Sequence, residues 1–197
     1  MIKLKSILNE SVEDYIKVYH GGKKWSRWDA SVSAPKKGRY EAGAGIYTTT
    51  NYETAQKYGR GSNVVSIVYV DKDITLADAV DIPIEDAVNF VKLYIGTKNR
   101  RDFLDAIQKS YDRMGRLPAF IMLNMSVNLE IGGKQAMEVM KFVVEHGVDA
   151  SLQSQSGEEE WLVIHNPEII KKVVHTKPSD ISIDDYMLPK VSSQITS

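Results

Sequence analysis

Hydrophobic and polar residues alternate along several short stretches of the chain, and this period places every second side chain on one face of a strand. Residues 15–20 form such a stretch. Residues 63–70 are apolar almost without interruption instead, which predicts a buried strand. The same pattern predicts further strands at 45–49, 150–153, 160–164 and 169–174. Strands are therefore expected near both ends of the chain.

The middle of the chain has a helical period instead. Apolar residues recur three and four positions apart over 83–95, 99–111 and 133–146, which predicts amphipathic helices, whereas 120–123 fits a helix or a strand. Strands at both ends with helices between them predict an α+β fold. A barrel or a doubly wound sheet would need a βαβ alternation that this pattern lacks.

Turn and cap signals add local detail. Thr50 and Glu53 have the spacing of a capping box, which predicts a short helix that ends at Tyr58. Residues 23–45 are predicted to form a long loop, and residues 176–197 a loose polar tail.

Composition narrows the function classes. A length of 197 residues fits a single domain, and a net charge of −1 gives no overall field that attracts nucleic acid or an anionic membrane. The sequence has no cysteine, which excludes disulfides, thiolate zinc sites and a cysteine nucleophile. It also has no segment typical of a signal peptide or a membrane span, so we expect a cytoplasmic protein without a membrane partner. Since no histidines have metal-ligand spacing, no metal is expected.

Three segments carry residues suited to chemistry. Residues 19–22 end a strand in a histidine followed by two glycines, and 45–47 lead towards a helix that ends in a tyrosine. Residues 158–164 form an acidic turn before a hydrophobic strand. Each segment taken alone also fits a structural role, as a hydrogen-bonded histidine, aromatic core anchors or a solvated turn.

Together and in this order, the segments resemble the ADP-ribosyltransferase superfamily, in the His-Tyr-Glu branch shared by diphtheria-like toxins and the PARP enzymes. The resemblance rests on His20 followed by Gly21, on Tyr47 and Tyr58 eleven positions apart, and on Glu160 followed by Trp-Leu-Val-Ile. It covers the two ends of the chain and leaves the helical middle unmatched.

The resemblance implies an ADP-ribosyltransferase-like fold, in which two small antiparallel sheets form an NAD cleft. Residues 1–197 would be one domain, with a helical insertion at about 77–148. The implied activity is cleavage of the nicotinamide–ribose bond of NAD, which serves as substrate, and transfer of ADP-ribose to a macromolecular acceptor. A protein side chain is the expected acceptor.

The resemblance also implies a role for each matched residue. Tyr47 and Tyr58 would stack on nicotinamide, His20 would hydrogen-bond a ribose hydroxyl, and the Gly21 backbone would hold the carboxamide. Glu160 would be the catalytic carboxylate, because a fixed negative charge beside the ribose stabilises the oxocarbenium-like charge that develops during cleavage.

Glu158 leaves the acceptor open. It lies two positions before Glu160, so both side chains would share a face of a strand. This Glu-x-Glu spacing resembles the arginine-modifying branch of the superfamily, where the earlier glutamate positions the acceptor guanidinium, and residues 48–50 are similar to the Ser-Thr-Ser element of that branch. His20 stands where that branch has arginine, however. A turn residue without a role is the equal alternative for Glu158.

Other functions also stay open. An NAD glycohydrolase or an RNA 2′-phosphotransferase would keep the fold and change the chemistry, and a non-catalytic interaction module would keep the fold alone. A nucleic-acid acceptor likewise stays open. Residues 1–10 are similar to the starts of tailed-phage proteins, so one expectation is a phage effector that acts in the host cytoplasm.

Overall fold

The computed structural model describes residues 15–22, 42–59, 64–155, 157–177 and 180–195, so most of the predicted loop at 23–45 lies outside the described residues. Within these ranges the chain has the predicted α+β composition. The strands are β1 (Tyr15–Gly21), β2 (Ile46–Thr49), β3 (Val65–Asp71), β4 (Ala150–Ser154), β5 (Glu160–Ile164) and β6 (Ile170–Thr176). The helices are α1 (Tyr52–Tyr58), α2 (Ile84–Tyr94), α3 (Thr97–Met114), α4 (Ala119–Asn128) and α5 (Gly133–Glu145).

All six of these strands belong to one antiparallel sheet, in the order β4-β5-β2-β1-β3-β6. The expectation of two separate small sheets is therefore wrong. The strands β1 and β3 pair along seven residues and β2 and β5 along four, whereas β1 and β2 meet at one registered pair, Tyr19 and Thr49. The sheet thus consists of two three-stranded halves that are joined at a single point.

The two faces of the sheet are covered differently. One face carries an apolar cluster, the sheet core, and the other face packs against α1 in a smaller cluster, the α1 core. The sheet core includes Ile16, Val18, Val68, Val70, Leu162 and Ile164, and the α1 core includes Tyr19, Tyr52, Ala55 and Val65.

The helix α1 begins with a different cap from the predicted one. The Asn51 Oδ1 atom accepts hydrogen bonds from the backbone N–H of Glu53 at 2.8 Å and of Thr54 at 3.2 Å. The predicted capping role of Thr50 is therefore wrong, because the neighbouring asparagine has the short acceptor side chain that suits an N-cap. Gly59 follows the last turn, as the sequence predicts.

The helices α2 to α5 surround an apolar core of their own, the helical core. Residues 120–123, ambiguous in sequence, lie within α4. The two ends of this helical part are fastened to each other, since Asp149 N donates to Thr75 O at 2.8 Å and Thr75 N donates to Asp149 Oδ2 at 3.0 Å. We refer to these two hydrogen bonds as the clasp.

Residues 180–195, here called the C-terminal strap, pack on the sheet, so the expectation of a loose tail is wrong for this part. Leu188 is buried in the α1 core and Val191 is completely buried in the sheet core. Tyr52 N donates to Tyr186 O, and Leu188 N donates to Thr50 O, both at 2.9 Å. The strap therefore reaches from one face of the sheet to the other, anchored by two apolar residues within a polar sequence.

Candidate active site

His20 lies where β1 and β2 separate. Its Nδ1 atom is 2.8 Å from the carbonyl oxygen of Tyr47 on β2. A carbonyl only accepts, so Nδ1 carries the hydrogen. Burial lowers the pKa of His20, more than its hydrogen bond to the Tyr47 carbonyl raises it. The ring is therefore neutral near pH 7, with a lone pair on Nε2.

The two glycines after His20 lie in close contacts, and the contact at Gly21 requires a glycine. A Cβ atom on Gly21 would lie 1.7 Å from the carbonyl oxygen of Ala55 in α1, so only glycine lets β1 approach the helix this closely. A Cβ atom on Gly22 would lie 2.9 Å from His20 Nε2. Within this structure, therefore, the glycine at 21 is explained by packing against α1.

Glu160 is a buried carboxylate, and each of its two oxygens accepts a hydrogen bond. Its side chain is 4% exposed, and its two oxygens accept from the Ser192 hydroxyl at 2.6 Å and from Ser192 N–H at 2.9 Å. Its backbone is tied to the end of β2, since Glu160 N donates to Thr50 Oγ1 at 3.0 Å and Thr50 N donates to Glu160 O at 2.9 Å. The carboxylate is thus held in one position by the strap.

Glu159 faces the opposite side, towards α1. Its Oε1 atom accepts from Thr49 Oγ1 at 2.8 Å and from Trp161 Nε1 at 2.7 Å, and its Oε2 atom accepts from Thr54 Oγ1 at 3.1 Å. These three donors link β2, α1 and β5 through one carboxylate. Glu159 therefore positions the elements around the site.

The two predicted tyrosines differ in exposure. The Tyr47 hydroxyl donates to Gly43 O at 2.8 Å and accepts from Ala42 N at 3.2 Å, so the ring is fixed. The Tyr58 side chain is 65% exposed, and its ring meets that of Trp161 edge-on at a centroid distance of 5.9 Å. Tyr58 is thus not a core anchor in this structure.

Glu158 is paired with the strap. Its Oε2 atom lies 2.8 Å from Lys190 Nζ, and this hydrogen bond raises the pKa of Lys190. The pair lies at the surface, where such ion pairs are weak. The strap thus touches both glutamates of the Glu-x-Glu spacing.

The predicted residues lie on three neighbouring strands and, for Tyr58, on α1, but they do not all face one way. Strand alternation puts His20 and Glu160 on the sheet-core face, with β2 between their strands. The same alternation puts Tyr47 on the α1 face, where Tyr58 also lies. The four side chains are therefore divided between the two faces around the point where β1 and β2 separate.

Three contributors to the site escaped the sequence reasoning: Ser192, Lys190 and Glu159. The first two lie in a polar tail with no motif, and only their spacing, which repeats that of Glu158 and Glu160, could have drawn attention to them. Glu159 could have been found from strand alternation, which separates it from its two neighbours.

No family model, no curated protein and no solved structure matches this chain. Among the residues that the structure describes, no group of three or more acidic or histidine side chains could hold a metal ion. No helix within the described ranges is long and apolar enough to cross a membrane.

Proposed function

We propose that the protein is an NAD-dependent ADP-ribosyltransferase with an ADP-ribosyltransferase-like fold, in which the two three-stranded halves of one sheet take the place of the two expected sheets. The observation that carries the proposal is the adjacency of the three motif segments, since β1, β2 and β5 are neighbours in the sheet although their residues are far apart in sequence. The direct contact between His20 and the Tyr47 carbonyl, at 2.8 Å, joins the first two segments.

The chemistry assigns a task to His20 and to Glu160, which share the sheet-core face. A neutral His20 with its hydrogen on Nδ1 can accept a hydrogen bond from a ribose hydroxyl through Nε2. The exposed ring of Tyr58 lies on the α1 face, away from Glu160, and takes no part in this assignment. Glu160 supplies negative charge near the ribose, where a positive charge develops as the ribose–nicotinamide bond breaks.

The proposed reaction needs no cofactor besides NAD, which is its substrate. The bond between the ribose carbon and the nicotinamide nitrogen breaks, and its electron pair stays with the ring, which leaves as neutral nicotinamide. An acceptor nucleophile then bonds to the ribose carbon and loses a proton to solvent. A protein side chain is the proposed acceptor, and water in its place would make the enzyme a glycohydrolase.

Labelled NAD tests the proposal directly. The protein is incubated with labelled NAD and a cell lysate, and free nicotinamide and ADP-ribosylated peptides are quantified by mass spectrometry. Nicotinamide release with labelled peptides supports a transferase, release without labelled peptides indicates a glycohydrolase, and no release contradicts both activities.

Glu160→Gln is the decisive variant, because it keeps the shape and removes the charge. We expect turnover to fall by about 10²–10³, or roughly 3–4 kcal/mol of barrier, with a smaller change in NAD affinity. Glu168→Gln, which removes an exposed carboxylate, is the matched control and should behave like the parent. Melting temperatures of all three proteins separate loss of catalysis from loss of fold.

A further inference from the structure

The C-terminal strap binds the two carboxylates that the proposed function needs. Ser192 donates its backbone N–H and its hydroxyl to Glu160, and Lys190 pairs with Glu158. Residues 190 and 192 have the same spacing as residues 158 and 160. One short segment therefore engages the proposed catalytic carboxylate and the neighbouring candidate for positioning the acceptor.

We propose that the strap is autoinhibitory, so that NAD and the acceptor gain access only when residues 190–193 leave Glu158 and Glu160. The inference rests on the proposed function, because it assumes that Glu160 acts on the ribose of NAD. In the closed state the strap occupies the site. In the open state both carboxylates are accessible to the substrates.

The geometry of Glu160 is the first argument. Both oxygens already accept charge-assisted hydrogen bonds, and the side chain is 4% exposed. A ribose hydroxyl can reach the carboxylate only by replacing Ser192. Substrate and strap therefore compete for the same atoms. The apparent affinity for NAD is reduced in proportion to the fraction of molecules in which the strap is open.

The division of the strap's contacts into two separate sets is the second argument. Its first half is fixed by Leu188 and by backbone hydrogen bonds of Tyr186 and Leu188 to the α1 region. Its second half is held to the sheet by the buried side chain of Val191 and by the contacts of Lys190 and Ser192. Because Pro189 separates the two sets of contacts, the second half can leave while the first half stays in place, provided that it gives up the burial of Val191 together with its polar contacts.

Weakening only the second half tests the idea. The double variant Lys190→Glu/Ser192→Ala loses the ion pair and the hydroxyl donor. Ser193→Ala is the control, since the Ser193 hydroxyl donates to Lys190 O within the strap and, among the described residues, touches neither glutamate. We expect the double variant to bind NAD about tenfold more tightly than the parent in calorimetry and to cleave it faster. Lys190→Glu alone, a surface change that keeps the Ser192 contacts, should show a smaller gain in the same direction.

Amide hydrogen exchange gives a readout that does not depend on turnover. The Ser192 amide is expected to exchange slowly without NAD and faster with saturating NAD. Equal NAD affinity in the parent and both Lys190 variants, or a Ser192 amide that stays protected at saturation, would overturn autoinhibition and leave the transferase proposal standing. Absence of NAD binding in every variant would refute the proposed function and the autoinhibition together.

Discussion

The helical core and the centre of the sheet are stabilised by different kinds of contact. Helices α2 to α5 are held together by buried apolar side chains such as Phe103, Ile107 and Val143. At the centre of the sheet, polar side chains bind the backbone of neighbouring segments, as Thr48 does with Leu162 O at 2.6 Å. Apolar packing tolerates many substitutions of similar volume, whereas a buried polar group depends on one partner. The side chains that depend on one particular partner are therefore concentrated in the sheet.

The largest expected effect breaks the helical core. Phe103→Ala removes a completely buried ring and should lower the free energy of unfolding by about 3–5 kcal/mol, because lost burial and a cavity add together. Urea denaturation measures this change, and Leu93→Ala, at a side chain that is 75% exposed, is the control. A loss below about 1 kcal/mol for Phe103→Ala would contradict the assignment of this residue to a packed core.

The next largest effect concerns a buried polar side chain of the sheet region. His165 is fully buried between Ala44 O and Ser151 Oγ, each 2.8 Å from a ring nitrogen, and burial lowers its pKa to about 4. In the unfolded chain its pKa is about 6.5, so between these values the unfolded state binds more protons. Stability should therefore be intact above about pH 6.5 and fall as the pH drops towards 4, by up to about 3 kcal/mol.

Thermal or urea unfolding at several pH values checks this dependence. His165→Gln should be less stable than the parent at pH 7 but should lose less stability between pH 6.5 and pH 4. Equal slopes in parent and variant would assign the pH dependence to other groups.

The smallest effect concerns α1. Asn51→Ala removes the N-cap and should cost about 1 kcal/mol, with faster amide exchange at Glu53 and Thr54. Thr50→Ala should leave these two amides protected. It should instead expose the Glu160 amide, which donates a hydrogen bond to Thr50 Oγ1 in the parent. The reverse assignment would restore Thr50 as the cap.

Sequence periodicity predicted the elements of both regions because it is a local property. The strand at 160–164 agrees with the structure, and so does the helix end at Tyr58, which the following Gly59 predicted. Residues 120–123 could not be assigned, since a short apolar run fits either period, and α4 is apolar over much of its length.

The candidate site was predictable only as separate motifs. Local patterns gave His20, Tyr47 and Glu160, but the single pair that joins β1 to β2 depends on contacts between distant residues. The packing of the strap was likewise invisible, because Val191 and Leu188 are isolated apolar residues in a polar segment. These two residues, together with the hydrogen bonds of the strap, hold a segment whose polar composition predicted a loose tail.

The clasp between Thr75 and Asp149 has a consequence for how the chain folds. These residues are 74 positions apart, so joining them closes a large loop, and the entropy lost depends on how flexible the enclosed segment is. Helices α2 to α5 shorten and stiffen that segment once they form. We therefore expect the helices to form early in refolding. Closure of the clasp would then bring β4 and β5 close to β2, so that β5 can pair with it. A slow step in refolding would then report loop closure, and shortening the enclosed segment would speed it.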